Sequence, residues 1–89
     1  MPCRHYIVEG RVQGVFFRAS TREQAQSMGI QGWVRNLVDG RVEVLACADT
    51  DQLSLFETWL NEGPEMAIVK GLSVTESTQQ AEVSGFEVR

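Results

Sequence analysis

The sequence predicts an α+β fold: a ferredoxin-like split β-α-β sandwich with an antiparallel sheet in the order 4-1-3-2, two helices on one face and a short extra strand near the end. The prediction rests first on the succession of period-two and period-3.6 stretches, which reads strand, helix, strand, strand, helix, strand. A second observation is the dipeptide Asp39-Gly40, which joins the middle strands as a tight hairpin. The third is that Gly29 and Gly63 stand where the two helical stretches must stop. With the usual crossover geometry, strands one and two run parallel with strand three between them, and their C-terminal ends share one edge about 10 Å apart, at about 4.8 Å per neighbour.

Each element has its own local reason. Tyr6, Val8, Gly10 and Val12 alternate with His5, Ile7, Glu9 and Arg11, the pattern of a strand with one buried face. Phe17, Thr21, Ala25 and Met28 then fall at helical spacing, predicting a helix from about Arg18 to Met28. Residues 30–36 and 41–48 are β-rich and flank the hairpin dipeptide. Asp49 followed by Gln52 resembles a capping box, and Leu53, Leu55, Phe56, Trp59 and Leu60 form a wide apolar stripe ended by Gly63-Pro64. Ile68, Leu72 and Val74 predict strand four, and Phe86 and Val88 a short last strand at the sheet edge. Ser77 to Ser84 reads as a polar loop.

Composition sets limits on function. A chain of 89 residues, 43% hydrophobic and 22% charged, is expected to form one domain, residues 1–89, around one core. Its net charge of −4 argues against a partner that is nucleic acid, because such domains carry basic stripes. No apolar run approaches the roughly 18 residues of a membrane span, and Met1 to Ile7 lacks a secretory layout, so a cytoplasmic monomer away from membranes is expected. Two cysteines and one histidine make no convincing zinc site, and no metal or other cofactor is expected. Cys3 and Cys47 fall at opposite ends of antiparallel neighbours and share odd parity. They therefore face each other on the open side of the sheet as a possible disulfide, set against two reduced thiols in a cytoplasm.

The aromatic residues Phe16, Phe17, Trp33, Phe56, Trp59 and Phe86 lie in core-like or turn-flanking patterns without interleaved Lys and Arg, so core packing is expected rather than a base-stacking surface. His5 lies at the far end of strand one and reads as a surface residue. Glu43, Asp49, Asp51, Glu57 and Glu62 show no paired spacing for acid–base work and are assigned to exposed faces.

One stretch resists that plain account. In Val12 to Thr21, "VQGVFFRAST", arginine occupies the first turn of a helix, where the positive end of the helix dipole favours acids by roughly 0.3 to 1 kcal/mol. A bound anion explains Arg18, since it accepts from the guanidinium and from the free N–H groups of a turn that Gly14 allows to bend. The competing reading is a surface arginine paired with a nearby acid. Asn36 closes strand two on the same edge and, by alternation, on the face of Ile30 and Val34. Either it serves the same site, or it is a turn asparagine bonding its own backbone.

Gly10 to Arg18, "GRVQGVFFR", together with Gly32 to Val44, "GWVRNLVDGRVEV", strongly resembles the acylphosphatase family, and the likeness runs along the whole chain to "FEVR" at Phe86 to Arg89. The resemblance implies hydrolysis of the carboxyl–phosphate bond of small-molecule acyl phosphates, without metal or covalent intermediate. It implies that Arg18 holds the phosphoryl oxygens with the backbone N–H groups of Gln13, Gly14, Val15, Phe16 and Phe17, and that Asn36 positions the attacking water. Thr21, one turn into the helix, is expected to support the loop, and inorganic phosphate is expected as product and inhibitor. The alternative is a non-enzymatic phosphate- or carboxylate-binding module of the same fold, which has no use for Asn36.

Overall fold

A computed structural model describes residues 1–81 and 84–89, so the expected polar loop at 77–84 lies partly outside the described residues. The elements are β1 (Cys3–Arg11), α1 (Phe17–Ser27), β2 (Gln31–Asn36), β3 (Val42–Cys47), α2 (Thr50–Glu62), β4 (Ile68–Ser77) and β5 (Phe86–Val88). One five-stranded sheet runs β4-β1-β3-β2-β5. The expected order 4-1-3-2 is therefore present, and β5 extends it by pairing parallel to β2. Since β3 is antiparallel to both β1 and β2, those two strands point the same way and deliver their C-terminal ends to one edge.

Alternation sorts the side chains into two layers. Tyr6, Val8, Val34, Val44 and Ala46 face the helices and join Phe17, Ala25, Leu53, Phe56 and Leu60 in the main core. Phe56 anchors that layer, with ring centroids 6.2 Å from Tyr6 and from Phe86 and 6.4 Å from Trp59. Burial pushes the Tyr6 phenol up to about 12, with the Glu57 carboxylate adding to the effect, so it stays neutral under α2. The start of α2 follows its local signature: the Asp49 carboxylate accepts from the Gln52 N–H at 2.9 Å.

The opposite face holds a smaller cluster of Cys3, Trp33, Leu45 and Cys47, with Ala81 packed against it. Cys3 and Cys47 are direct cross-strand partners, and the structure joins them in a disulfide across a separation of 44 residues. Four expectations change on this face and at the loop. Glu43 is no solvated acid: its carboxylate takes His5 Nε2 at 2.7 Å and also pairs with Arg35 Nε. His5 is accordingly half-buried in that network rather than free at the surface. Trp33 is buried as expected, but the Arg35 and Arg89 guanidinium carbons lie 5.3 and 5.1 Å from its ring centre, so arginines meet the aromatic through space although none interleaves in sequence. Phe16, expected to pack, is 78% exposed.

Two bends aim the chain beyond β1. A bulge between Glu9 and Gly10 shifts the pairing with β4. Gly10 is required there because a Cβ would meet the Ile68 carbonyl oxygen at 2.0 Å. The strand thus turns as it leaves the sheet and carries residues 12–16 over the edge where β2 ends.

Two outcomes follow from this arrangement. Reducing the Cys3–Cys47 bond should lower unfolding stability by about 3 to 4 kcal/mol in the loop-entropy account, read as a shift of the urea midpoint; equal midpoints with and without reductant would contradict it. Burial alone would raise the Glu43 carboxyl, but the hydrogen bonds from His5 and Arg35 outweigh it and hold it below the ordinary value of 4.5. Its folded value being depressed, Glu43 contributes stability that is present above about 4.5 and is lost as pH falls through the folded value. Stability of Glu43→Gln measured over the acid limb should therefore fall less steeply than that of the unmutated chain.

Candidate active site

The loop between β1 and α1 is shaped by alternating backbone hand. Gly14 has φ 74° and Phe16 has φ 60°, whereas Gln13, Val15 and Phe17 keep negative φ. Gly14 needs its freedom for that angle alone, because a Cβ there would meet nothing within 4 Å. Phe16 is the costly member: it stands in the left-handed region without being glycine, a conformation worth roughly 1 to 3 kcal/mol of strain. Alternation of this kind turns successive N–H groups toward one concavity, which is how backbone nests bind anions.

Phe16 is also the N-cap of α1, and it offers no side-chain acceptor; the first turn contains no acid. The first helical bond runs from the Ser20 N–H to the Phe16 carbonyl at 3.0 Å. Among the described residues, the amides of 14–19 have no main-chain acceptor. The helix thus presents its positive end and a row of unused donors to a pocket of about 430 Å³. Gly14, Phe16, Phe17 and Arg18 line that pocket together with Asn36 from the end of β2, joined by Val12, Ala19, Arg22 and Val88.

Arg18 makes no ion pair among the described residues, so the surface-pair reading is not what is seen. Its Nη1 donates instead to the main-chain oxygen of Arg89 at 3.2 Å. Arg89 is placed by the Trp33 ring, by a 2.8 Å contact from its Nε to the Glu87 carboxylate, and by its own N–H on the Val34 carbonyl at 2.8 Å. The end of the sheet therefore steadies the guanidinium at the mouth of the loop.

Asn36 has its Oδ1 buried and without a hydrogen-bond partner among the described residues. It does not serve the hairpin, because that task falls to Asp39, whose Oδ1 accepts from the Arg41 N–H at 3.1 Å. A half-buried amide on the wall of a pocket, with hydrogen-bonding capacity to spare, is suited to holding a polar guest.

The other expected residues divide. Gln13 does not line the pocket with its side chain, which donates to the carbonyls of Leu37 and Arg41 at 2.8 and 2.9 Å and so ties the loop to the hairpin. Val15 points into the core and is 4% exposed. Thr21 is fully buried and its hydroxyl donates to the Phe17 carbonyl at 2.7 Å, just behind the loop. Arg22, which stands with Arg18 ahead of the first acid of the helix in sequence, was not assigned to the site from that placement, and neither were Val88 and Arg89, for which no local signal exists. Among the described residues, no three or more His, Cys, Asp or Glu side chains gather as metal ligands, and no helix is long and apolar enough to cross a membrane.

Comparison with known proteins bears on the same residues. The Acylphosphatase family model matches residues 4–88. An acylphosphatase of Pseudomonas paraeruginosa is 49% identical over 87 residues, 98% of this chain and 94% of its own length. The solved acylphosphatase of Coxiella burnetii superposes with a TM-score of 0.93 at 42% identity, covering 99% of this chain and 92% of its own. That of Bacillus subtilis gives 0.94 at 37% identity, covering 100% and 99%. With the family model spanning the loop, both helices and every strand, the chain belongs to the acylphosphatase family.

Proposed function

We propose a route for the reaction that family membership assigns to this chain, hydrolysis of acyl phosphates to carboxylate and inorganic phosphate. The observation that carries it is the uncapped start of α1, where strained backbone, unused amides and Arg18 converge on a pocket that also holds the unpartnered Asn36 amide. The phosphoryl oxygens sit on the amides of the loop and on the Arg18 fork, which together match their charge and geometry. Asn36 holds a water in line with the acyl oxygen.

The chemistry asks little more of the protein. Water oxygen bonds to phosphorus, the phosphorus–acyl oxygen bond breaks, and the electron pair leaves on a carboxylate, a stable anion that needs no protonation. The water's proton passes to a phosphoryl oxygen, so no side-chain base is needed. Amides fixed in the loop stabilise charge growing on the equatorial oxygens at no further reorganisation cost, and the bound water supplies proximity. The unit that does this is residues 1–89 acting as one domain and as a monomer in the cytoplasm. A disulfide that lies at the far end of β1 from the loop plays no part in it.

The binding-module alternative predicts phosphate binding without turnover, and substitutions separate the two. Arg18→Lys keeps charge but loses the planar fork, so phosphate affinity by calorimetry and turnover of benzoyl phosphate should both drop. Asn36→Ala should keep phosphate affinity while kcat falls roughly 10²-fold or more, the scale of losing one positioned hydrogen-bonding group. Near-full kcat in Asn36→Ala, with far-UV CD unchanged, would remove the water-positioning role. Inorganic phosphate should inhibit competitively, and exhaustive dialysis against EDTA should leave turnover unchanged; loss of activity restored by a divalent ion would contradict the route.

A further inference from the structure

A phosphoryl group fills only part of a pocket of about 430 Å³, a volume in the range of small-molecule sites. The remainder must receive the acyl part of the substrate. Phe16 and Val88 give that space apolar surface, and Arg22 gives it a second positive charge.

Arg22 is the feature that the phosphoryl site does not explain. It follows Arg18 by one turn of α1, and like charges at that spacing repel each other. Both stand toward the positive end of a helix whose first turn has no acid to offset them. Arg4, Arg35, Arg41 and Arg89 each have a carboxylate partner, whereas among the described residues Arg11, Arg18, Arg22 and Lys70 form no ion pair, and of these four Arg18 and Arg22 line the pocket. Among the described residues no acid lines the pocket, in a chain of net charge −4. Two unpaired cations in one concavity repel each other until anionic charge arrives; the phosphoryl group, held on the loop amides and Arg18, takes up the first, and Arg22, one turn further along α1, is left facing the rest of the pocket.

We propose that Arg22 sets substrate specificity by receiving a second anionic group, a carboxylate or phosphate carried on the acyl part. The preferred substrates are then acyl phosphates with two separated negative groups rather than those with uncharged acyl chains. Four residues of helix advance about 6 Å, so the two anion positions are spaced as the ends of a short dicarboxylate or of a ring-bridged pair. The proposal rests on the placement of the phosphoryl group at the loop and Arg18.

The test compares 4-carboxybenzoyl phosphate with 4-methylbenzoyl phosphate, which have similar shape and rigid rings that cannot cyclise onto the reacting carbonyl; 4-phosphonobenzoyl phosphate separates a carboxylate from a phosphate preference. The unmutated chain should favour the charged partner in kcat/KM by about two- to fivefold, the scale of a partly exposed ion pair, with the ratio shrinking as salt is added. The ratio should fall to about one in Arg22→Gln, invert in Arg22→Glu and survive in part in Arg22→Lys. Equal efficiency on both substrates in the unmutated chain overturns the specificity role while leaving the phosphoryl site standing. A ratio unchanged in Arg22→Gln overturns it too, and assigns Arg22 to the phosphoryl group if both constants fall together. Hydrolysis of neither substrate would sink the underlying reading instead.

Discussion

A helix that begins at a left-handed Phe16, with no side chain to cap it and arginine in place of acid, carries several local penalties at once. On the proposed route each is relieved by the same event, the arrival of an anion among the free amides of the β1–α1 loop. The rest of the molecule is arranged to keep that loop in its strained form before the anion comes. The bulge at Gly10 turns β1 over the sheet edge, Val15 and Phe17 plug the loop into the core, and Gln13 fastens it to the hairpin. Thr21 secures the Phe17 carbonyl behind it. Preorganisation of this kind spends folding energy to avoid reorganisation during the reaction.

Topology explains why the groups assigned to the proposed phosphoryl site come from distant parts of the chain. Because β3 lies between β1 and β2, the ends of those strands are separated by one strand's width, which suits a small ligand bridging the loop and Asn36. Adding β5 parallel to β2 then brings Val88 and Arg89 to the same edge, where the Arg89 main-chain oxygen meets Arg18. On the open face, the Trp33 ring between Arg35 and Arg89 and the Glu43 carboxylate between His5 and Arg35 form one continuous polar and aromatic layer. Packing on the face away from the helices is thereby linked, through Arg89, to the position of the guanidinium.

Much of this was legible in the sequence, and the parts that were not share a physical cause. Alternation, the hairpin dipeptide and the Asp49 cap are local signals, so strand order and both helices could be read without a structure. Arg18 could be singled out because helix electrostatics makes it anomalous on its own. Asn36 could be assigned a face but not a role, since the choice between Asn36 and Asp39 as the turn-capping residue depends on hairpin geometry that spacing does not encode. Glu43 looked like a solvated acid because its partners are set by cross-strand register with His5 and Arg35. Phe16 looked like core because an exposed aromatic in the left-handed region has no sequence signature. Arg89 contacts Arg18 across 71 positions, beyond any local rule.

The claim on which all of this depends is that the free amides of the loop, with Arg18, are the phosphate site. The most direct measurement is a titration of the ¹⁵N-labelled chain with inorganic phosphate, followed through backbone amide and arginine Nε shifts. Saturable shifts concentrated at Gly14 to Ala19 and at Arg18, with the amides of β4 and the open-face arginine Arg35 unmoved, are the predicted result. Shifts that leave the loop untouched, or that gather instead around Arg35 and Arg89, would contradict it.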